Sequence, residues 1–191
     1  MRRRTFFVML ASALGAQTLA GCSGDAEEHT APDGWHRVVH GYVAFDARDD
    51  WYEVEPPEDT RTGTWDLFLQ DTAGWDDEDA TIRVLAKSDG IETLMPQAPG
   101  KSAEELAEIF STLKLIDKEV GSAGEPTQIS GGADQVWKIE YPIEDSDRRD
   151  IVYVAKDDDS DDIALLGVTG VGMSEEDLQT LEASIEVVHS V

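Results

Sequence analysis

Asp157, Asp159 and Asp161 set carboxylates at alternate positions of the segment Asp157-Asp158-Asp159-Ser160-Asp161-Asp162, the spacing at which oxygen ligands suit a hard cation such as calcium. An EF-hand loop beginning at Asp157 would want glycine at its sixth position and glutamate at its twelfth, and Asp162 and Val168 stand there instead. The departures argue for a solvated hairpin turn, with weak calcium binding as the alternative. A metal-dependent hydrolase using the same three aspartates would require a tightly bound divalent ion. His36 and His40 share a face if both lie on one strand, but no third zinc ligand follows at a recognisable spacing. Gly167-Val168-Thr169-Gly170-Val171-Gly172 runs G-x-x-G-x-G and not G-x-G-x-x-G, so it reads as a flexible turn and not as a nucleotide loop. No nucleophile elbow and no H-E-x-x-H is present. The expectation is a non-enzyme with no catalytic residue, no metal site and no cofactor.

The residues with the clearest chemistry lie at the start. Arg2-Arg3-Arg4 opens the chain, an apolar stretch without acids follows, and Leu19-Ala20-Gly21 precedes Cys22. That is the layout of a secretory signal, with a basic region, an apolar region too short for a comfortable membrane span, and a small-residue cleavage site. Leu19-Ala20-Gly21-Cys22 resembles the lipobox of bacterial lipoproteins, in which the cysteine thiol takes a diacylglyceryl group. Cys22 is the only cysteine, so it has no partner for an internal disulfide, and lipidation accounts for it. Arg3-Arg4-Thr5-Phe6-Phe7 also resembles the twin-arginine export motif through Arg3, Arg4, Phe6 and Phe7; the general secretory route stays open. The organisation expected is a signal peptide over 1–21, a lipidated flexible tether over 22–34 and one domain over 35–191.

Loss of the signal removes three arginines and takes the formal charge from -26 to -29. Such a charge repels phosphate backbones, which excludes nucleic acid as a partner, and it repels anionic headgroups, so membrane contact is expected through the lipid anchor. The remaining length suits one domain, since domains most often hold about 100–150 residues.

The elements follow from pattern. Val38 to Phe45 and Trp51 to Glu55 are β-branched and aromatic runs around the polar stretch 46–50, read as a hairpin. Further strands are expected at Trp65 to Gln70, Ala80 to Lys87, around Trp137, Ile139 and Tyr141, at Ile151 to Lys156 and at Ile163 to Val168. Ser102 and Glu105 form a capping box ahead of Leu106, Ile109, Phe110 and Leu113 at helical spacing. Ser174 starts a shorter helix through Leu178 and Leu181, and Ile185 to His189 closes as a strand. The class is α+β, with about six to eight strands in a central, mainly antiparallel sheet covered by two helices. Of the five tryptophans, Trp51 and Trp137 sit in apolar strands and read as core. Trp75 lies in an acidic loop and is the candidate contact with a partner.

The order Gly41 to Phe45 as G-x-x-x-F, an acidic spacer, Trp51, the helix capped by Ser102, then paired strands leading to a short helix and strand resembles the PsbP-like fold. In particular it is similar to the small LpqN-type lipoproteins of actinobacteria, over residues 35–191. The resemblance implies an α/β sandwich and a binding or accessory role at the cell envelope, toward an envelope protein or envelope component. It assigns no functional residue. A calcium or small-solute binder and a metal-dependent hydrolase remain as alternatives.

Overall fold

The computed structural model describes residues 29–58, 65–75, 81–87, 98, 100–112, 123–143 and 148–189. Within them lie strands β1 (Trp35–His40), β2 (Val43–Arg48), β3 (Tyr52–Glu53), β4 (Leu67–Gln70) and β5 (Ile82–Ala86), then helix α1 (Ala103–Ser111). Strands β6 (Thr127–Ile129), β7 (Gln135–Pro142), β8 (Arg149–Lys156) and β9 (Ile163–Gly170) follow, then helix α2 (Glu175–Ala183) and β10 (Glu186–Val187). Every strand pairing is antiparallel, and with the two helices the class is α+β. The ten strands exceed the expected number because the run Val38 to Phe45 divides into β1 and β2 and because β6 holds only three residues, too few to leave a periodic signal.

The strands form two sheets, one of seven in the order β3-β4-β5-β9-β8-β7-β6 and one of three in the order β1-β2-β10. The expected single sheet is therefore divided, and its first hairpin is placed differently. Strands β1 and β2 pair with each other around Gly41 and Tyr42, with His40 opposite Val43. Gly41 has φ 58°, as a two-residue hairpin turn of the primed types requires at its first position. Asp46, Ala47 and Arg48 thus belong to β2, and Tyr52 and Glu53 leave to pair with β4 in the larger sheet.

Strands β8 and β9 are buried on both faces. Ile151, Tyr153 and Ala155 meet Ala164, Leu166 and Val168 in one core, which also holds Phe45 of β2 and Leu178 and Leu181 of α2. Val152, Val154, Ile163 and Leu165 face the other core, against Leu106 and Phe110 of α1. The large sheet is the middle layer, with α1 on one side and the small sheet plus α2 on the other. Each large apolar side chain so buried contributes about 1.5–3 kcal/mol.

Local chemistry sets the helix limits. Ser102 Oγ accepts from Glu105 N–H at 3.1 Å and Glu105 Oε2 accepts from Ser102 N–H at 3.0 Å, the expected capping box. Ala103, Leu106, Ala107 and Phe110 turn inward while Glu104, Glu105 and Glu108 are exposed; Ile109 is half-buried, and Leu113 lies outside the described residues. Tyr141 Oη donates to Phe110 O at 2.9 Å, tying the last turn of α1 to β7. Ser174 caps α2 by accepting from Asp177 N–H at 3.1 Å.

Candidate functional site

Leu19, Ala20, Gly21 and Cys22, together with Arg3, Arg4, Phe6 and Phe7, lie outside the described residues. Residues 29–34, assigned to the tether, are described, and their first member docks onto the small sheet. The register sets Arg37 opposite Asp46 and Glu186 opposite Ala44, so these side chains share the face of the small sheet turned away from Val43, Phe45 and Ala47 in the core. Asp46 is 1 % exposed. His29 Nε2 lies 2.8 Å from Asp46 Oδ1 and 2.9 Å from Oδ2, and Arg37 Nη1 donates to Oδ1 at 3.3 Å. Arg37 also donates to Glu186 and, at 2.6 Å, to the Ser184 carbonyl.

Where the β2–β10 ladder gives way to α2, a side chain takes over. Ser184 Oγ accepts from Asp46 N–H at 2.8 Å and donates to Leu181 O at 2.8 Å, so a buried strand amide is paired by a hydroxyl. A cleft of about 390 Å³ opens between this network and α2, lined by His29, Pro32, Asp46, Glu176, Thr180 and Ala183, among others.

A second concavity, of about 530 Å³, lies over the adjoining ends of β7 and β8 and is lined by Glu140, Tyr141, Arg148, Arg149, Asp150 and Glu175, among others. Arg148 clamps the buried Asp150 through Nε at 3.0 Å and Nη2 at 3.1 Å, the bidentate geometry that a planar guanidinium offers a carboxylate. Arg149 donates to Glu175 at 2.8 Å; that bond raises the guanidinium and holds the Glu175 carboxyl below its ordinary range. Beyond them, Lys138 lies 2.7 Å from Glu140 and 3.0 Å from Glu182. Burial pulls its ammonium down, but the two carboxylates outweigh that and leave it raised. Tyr153 Oη donates to the same Glu182 at 2.8 Å, and burial lifts this phenol well above its usual value. The groove thus presents guanidinium–carboxylate couples, a surface that can exchange partners with a ligand bearing both charges.

The remaining candidates are dispersed. Trp75 turns inward: its ring meets Phe68 edge-on at 5.4 Å and 79°, and Arg83 Cζ stands 4.8 Å from its centroid. Its Nε1 is buried with no hydrogen-bond partner among the described residues. Trp51 and Trp137 both join the core, Trp137 partly buried. His36 and His40 do lie on one strand, yet four residues of strand span about 13 Å, and each faces its own carboxylate, Asp49 at 3.2 Å and Asp66 at 2.8 Å. In the acidic turn, Asp157 accepts from Asp134 N–H and Asp134 accepts from Asp158 N–H, both at 3.0 Å. His189 stands 3.2 Å from Asp157, and Asp161 lies 3.4 Å from Lys156. No group of three or more His, Cys, Asp or Glu converges among the described residues as a metal would need.

The glycine run is a correction. Gly167 and Gly170 lie within β9 and not in a flexible turn. A Cβ at Gly167 would stand 3.0 Å from the Trp65 ring, and one at Gly170 would stand 2.0 Å from Thr81 O; the glycines admit close neighbours.

Asp46 and the Arg148–Asp150 clamp went unseen in the sequence. An aspartate between Phe45 and Ala47, inside an apolar run, was the available signal, since a buried carboxylate needs a cation beside it.

No protein-family model matches the chain, and no curated protein matches it.

Proposed function

We propose that the chain is an exported lipoprotein held at the extracytoplasmic face of the cell membrane by lipid on Cys22, where it serves as a non-enzymatic binding or accessory module. The observation that carries this reading is the single cysteine directly after Leu19-Ala20-Gly21, behind a basic and then apolar leader. Two signals or chains of lipid hold stably where one holds only marginally, so a diacylated cysteine is sufficient. Among the described residues no helix is long and apolar enough to cross a membrane. The layering of α1, a large antiparallel sheet, and α2 with a second small sheet supports the PsbP-like reading of residues 35–191, which rests on the order of elements.

The groove at Arg148 and Arg149, which sets two guanidiniums among the carboxylates of Glu140, Asp150 and Glu175, favours a small zwitterionic solute as a second reading. As a partner contact Trp75 is the weaker candidate, since its ring is packed against Phe68 and Arg83.

Metabolic labelling with a palmitate analogue, compared between wild type and Cys22→Ser, tests the anchor. Label on the wild type alone, with the variant moving from the membrane to the soluble fraction, is expected. Equal fractionation of the two overturns it. Cross-linking in intact cells then tests the module: a single abundant partner captured by the wild type and lost from Cys22→Ser supports it. Capture of a solute and no protein moves the reading to the groove.

A further inference from the structure

We infer that the seam between β2 and β10 is a pH-sensitive closure, clamped by the protonated rings of His29 and His189 and loosened when those rings lose their protons.

The four histidines fall into two geometric classes. His36 presents Nδ1 to Asp49 at 3.2 Å and His40 presents Nε2 to Asp66 at 2.8 Å, each a single contact that a neutral ring satisfies by donating its one proton. In His29 both ring nitrogens face carboxylates: Nε2 stands 2.8 Å and 2.9 Å from the two oxygens of Asp46, and Nδ1 stands 3.7 Å from Glu186. His189 repeats the arrangement, with Nε2 3.2 Å from Asp157 and Nδ1 3.5 Å from Asp162. A neutral imidazole turns a lone pair toward the second carboxylate, whereas the imidazolium presents a proton to both. Histidine is also the side chain that ordinarily changes charge between pH 5 and 8.

Both clasps act on β10. Asp46 lies on β2 and Glu186 on β10, so the His29 ring bridges the two strands. The ladder it reinforces is short: Glu186 and Val187 pair with Ala44 and Val43, and Val188 N–H donates to Tyr42 O at 3.0 Å. His189, the next residue, ties the end of β10 to the turn between β8 and β9.

The surrounding charges set how far each clasp depends on its proton. Arg37 of β1 shares Asp46 and Glu186 with His29, and Glu176 of α2 lines the same cleft. Arg37 keeps its charge at every pH in this range, so loss of the His29 proton weakens the seam without abolishing it. The turn facing His189 also carries Asp158, Asp159 and Asp161, with Asp134 bonded to the Asp158 amide and Lys156 3.4 Å from Asp161. Loss of the His189 proton there removes the positive charge that links Asp157 to Asp162. Opening reaches the cleft of about 390 Å³ as well, because His29, Thr30 and Pro32 line it against Thr180 and Ala183 of α2.

The test is amide exchange on the full chain in detergent, expressed as protection relative to the intrinsic exchange rate at each pH. From about pH 5 to about pH 8, protection of the Val188 amide is expected to fall at least about tenfold, as the loss of charge-assisted hydrogen bonds implies, while the Val152 amide of β8 keeps its protection. The double variant His29→Gln with His189→Gln cannot charge, and its Val188 amide is expected to be weakly protected at both pH values, with Val152 protection reporting that the domain is folded. His36→Gln with His40→Gln is expected to respond as the wild type does. Equal Val188 protection at the two pH values in the wild type, a fall that the His29 and His189 variant shares, or an equal fall at Val152 overturns the closure.

Discussion

Gly167 lies beneath Trp65 so closely that a Cβ at residue 167 would stand 3.0 Å from Cζ2 and 3.1 Å from Cη2 of the indole. Trp65 is 5 % exposed and belongs to the α1-side core, so the ring has little freedom to retreat. Gly167→Ala is expected to destabilise the domain by about 1–3 kcal/mol through overpacking. A urea midpoint lowered at unchanged slope would bear this out, and an unchanged midpoint would show that the ring can yield.

Burial pushes the Tyr141 phenol from 10.0 to about 12. The neutral form is the one the fold favours, so this contribution is fully present below pH 10 and is lost as pH rises through 12, where the native phenol also ionises. At about 1.4 kcal/mol per unit it amounts to about 2–3 kcal/mol. Stability measured across pH 9 to 12 is expected to fall more steeply in the wild type than in Tyr141→Phe, which keeps the ring and has nothing to ionise; parallel curves would remove Tyr141 as the cause.

Asp134 and Asp157 join two turns through the amide bonds that Asp157 and Asp134 accept. A double-mutant cycle of Asp134→Ala and Asp157→Ala is expected to show coupling of about 0.5–1 kcal/mol, because the pair acts as one link. Strict additivity would mean that the turns hold independently.

Ser184→Ala would leave the Asp46 amide buried and unpaired, at a cost of about 1–3 kcal/mol. Hydrogen exchange is the discriminating readout: faster exchange at Asp46 with little change at Tyr153 is expected, whereas a uniform increase would assign the loss to global stability.

Local pattern carried much of the fold. The Ser102–Glu105 box, the alternation of Ile139 and Tyr141 and the apolar runs of β8 and β9 are short-range signals, and each is where the sequence places it. The first hairpin was misplaced because Asp46 carries the chemistry of a turn while its burial depends on Arg37, His29 and Glu186, distant in the chain or on another strand. Glycine is ambiguous in the same way. Gly167 and Gly170 look like a turn until Trp65 and Thr81 are brought against them. Of the candidate site, the acidic loop around Trp75 suggested an exposed ring, and Arg83, a single cation reached across the sheet, covers it.

Strands β7, β8 and β9 are consecutive in the chain and neighbours in the sheet, whereas β9 must also reach back to β5, and β10 to β2. Closing long loops before their contacts form is slow, so the three-strand meander is the expected folding nucleus and the β2–β10 seam a late event. Mutations in β8 should slow folding, and those at the seam should chiefly hasten unfolding. Since Ser184 and Glu186 hold Arg37 and Asp46 in place for His29, the end of the domain nearest its tether becomes the last part to assemble and the first to open.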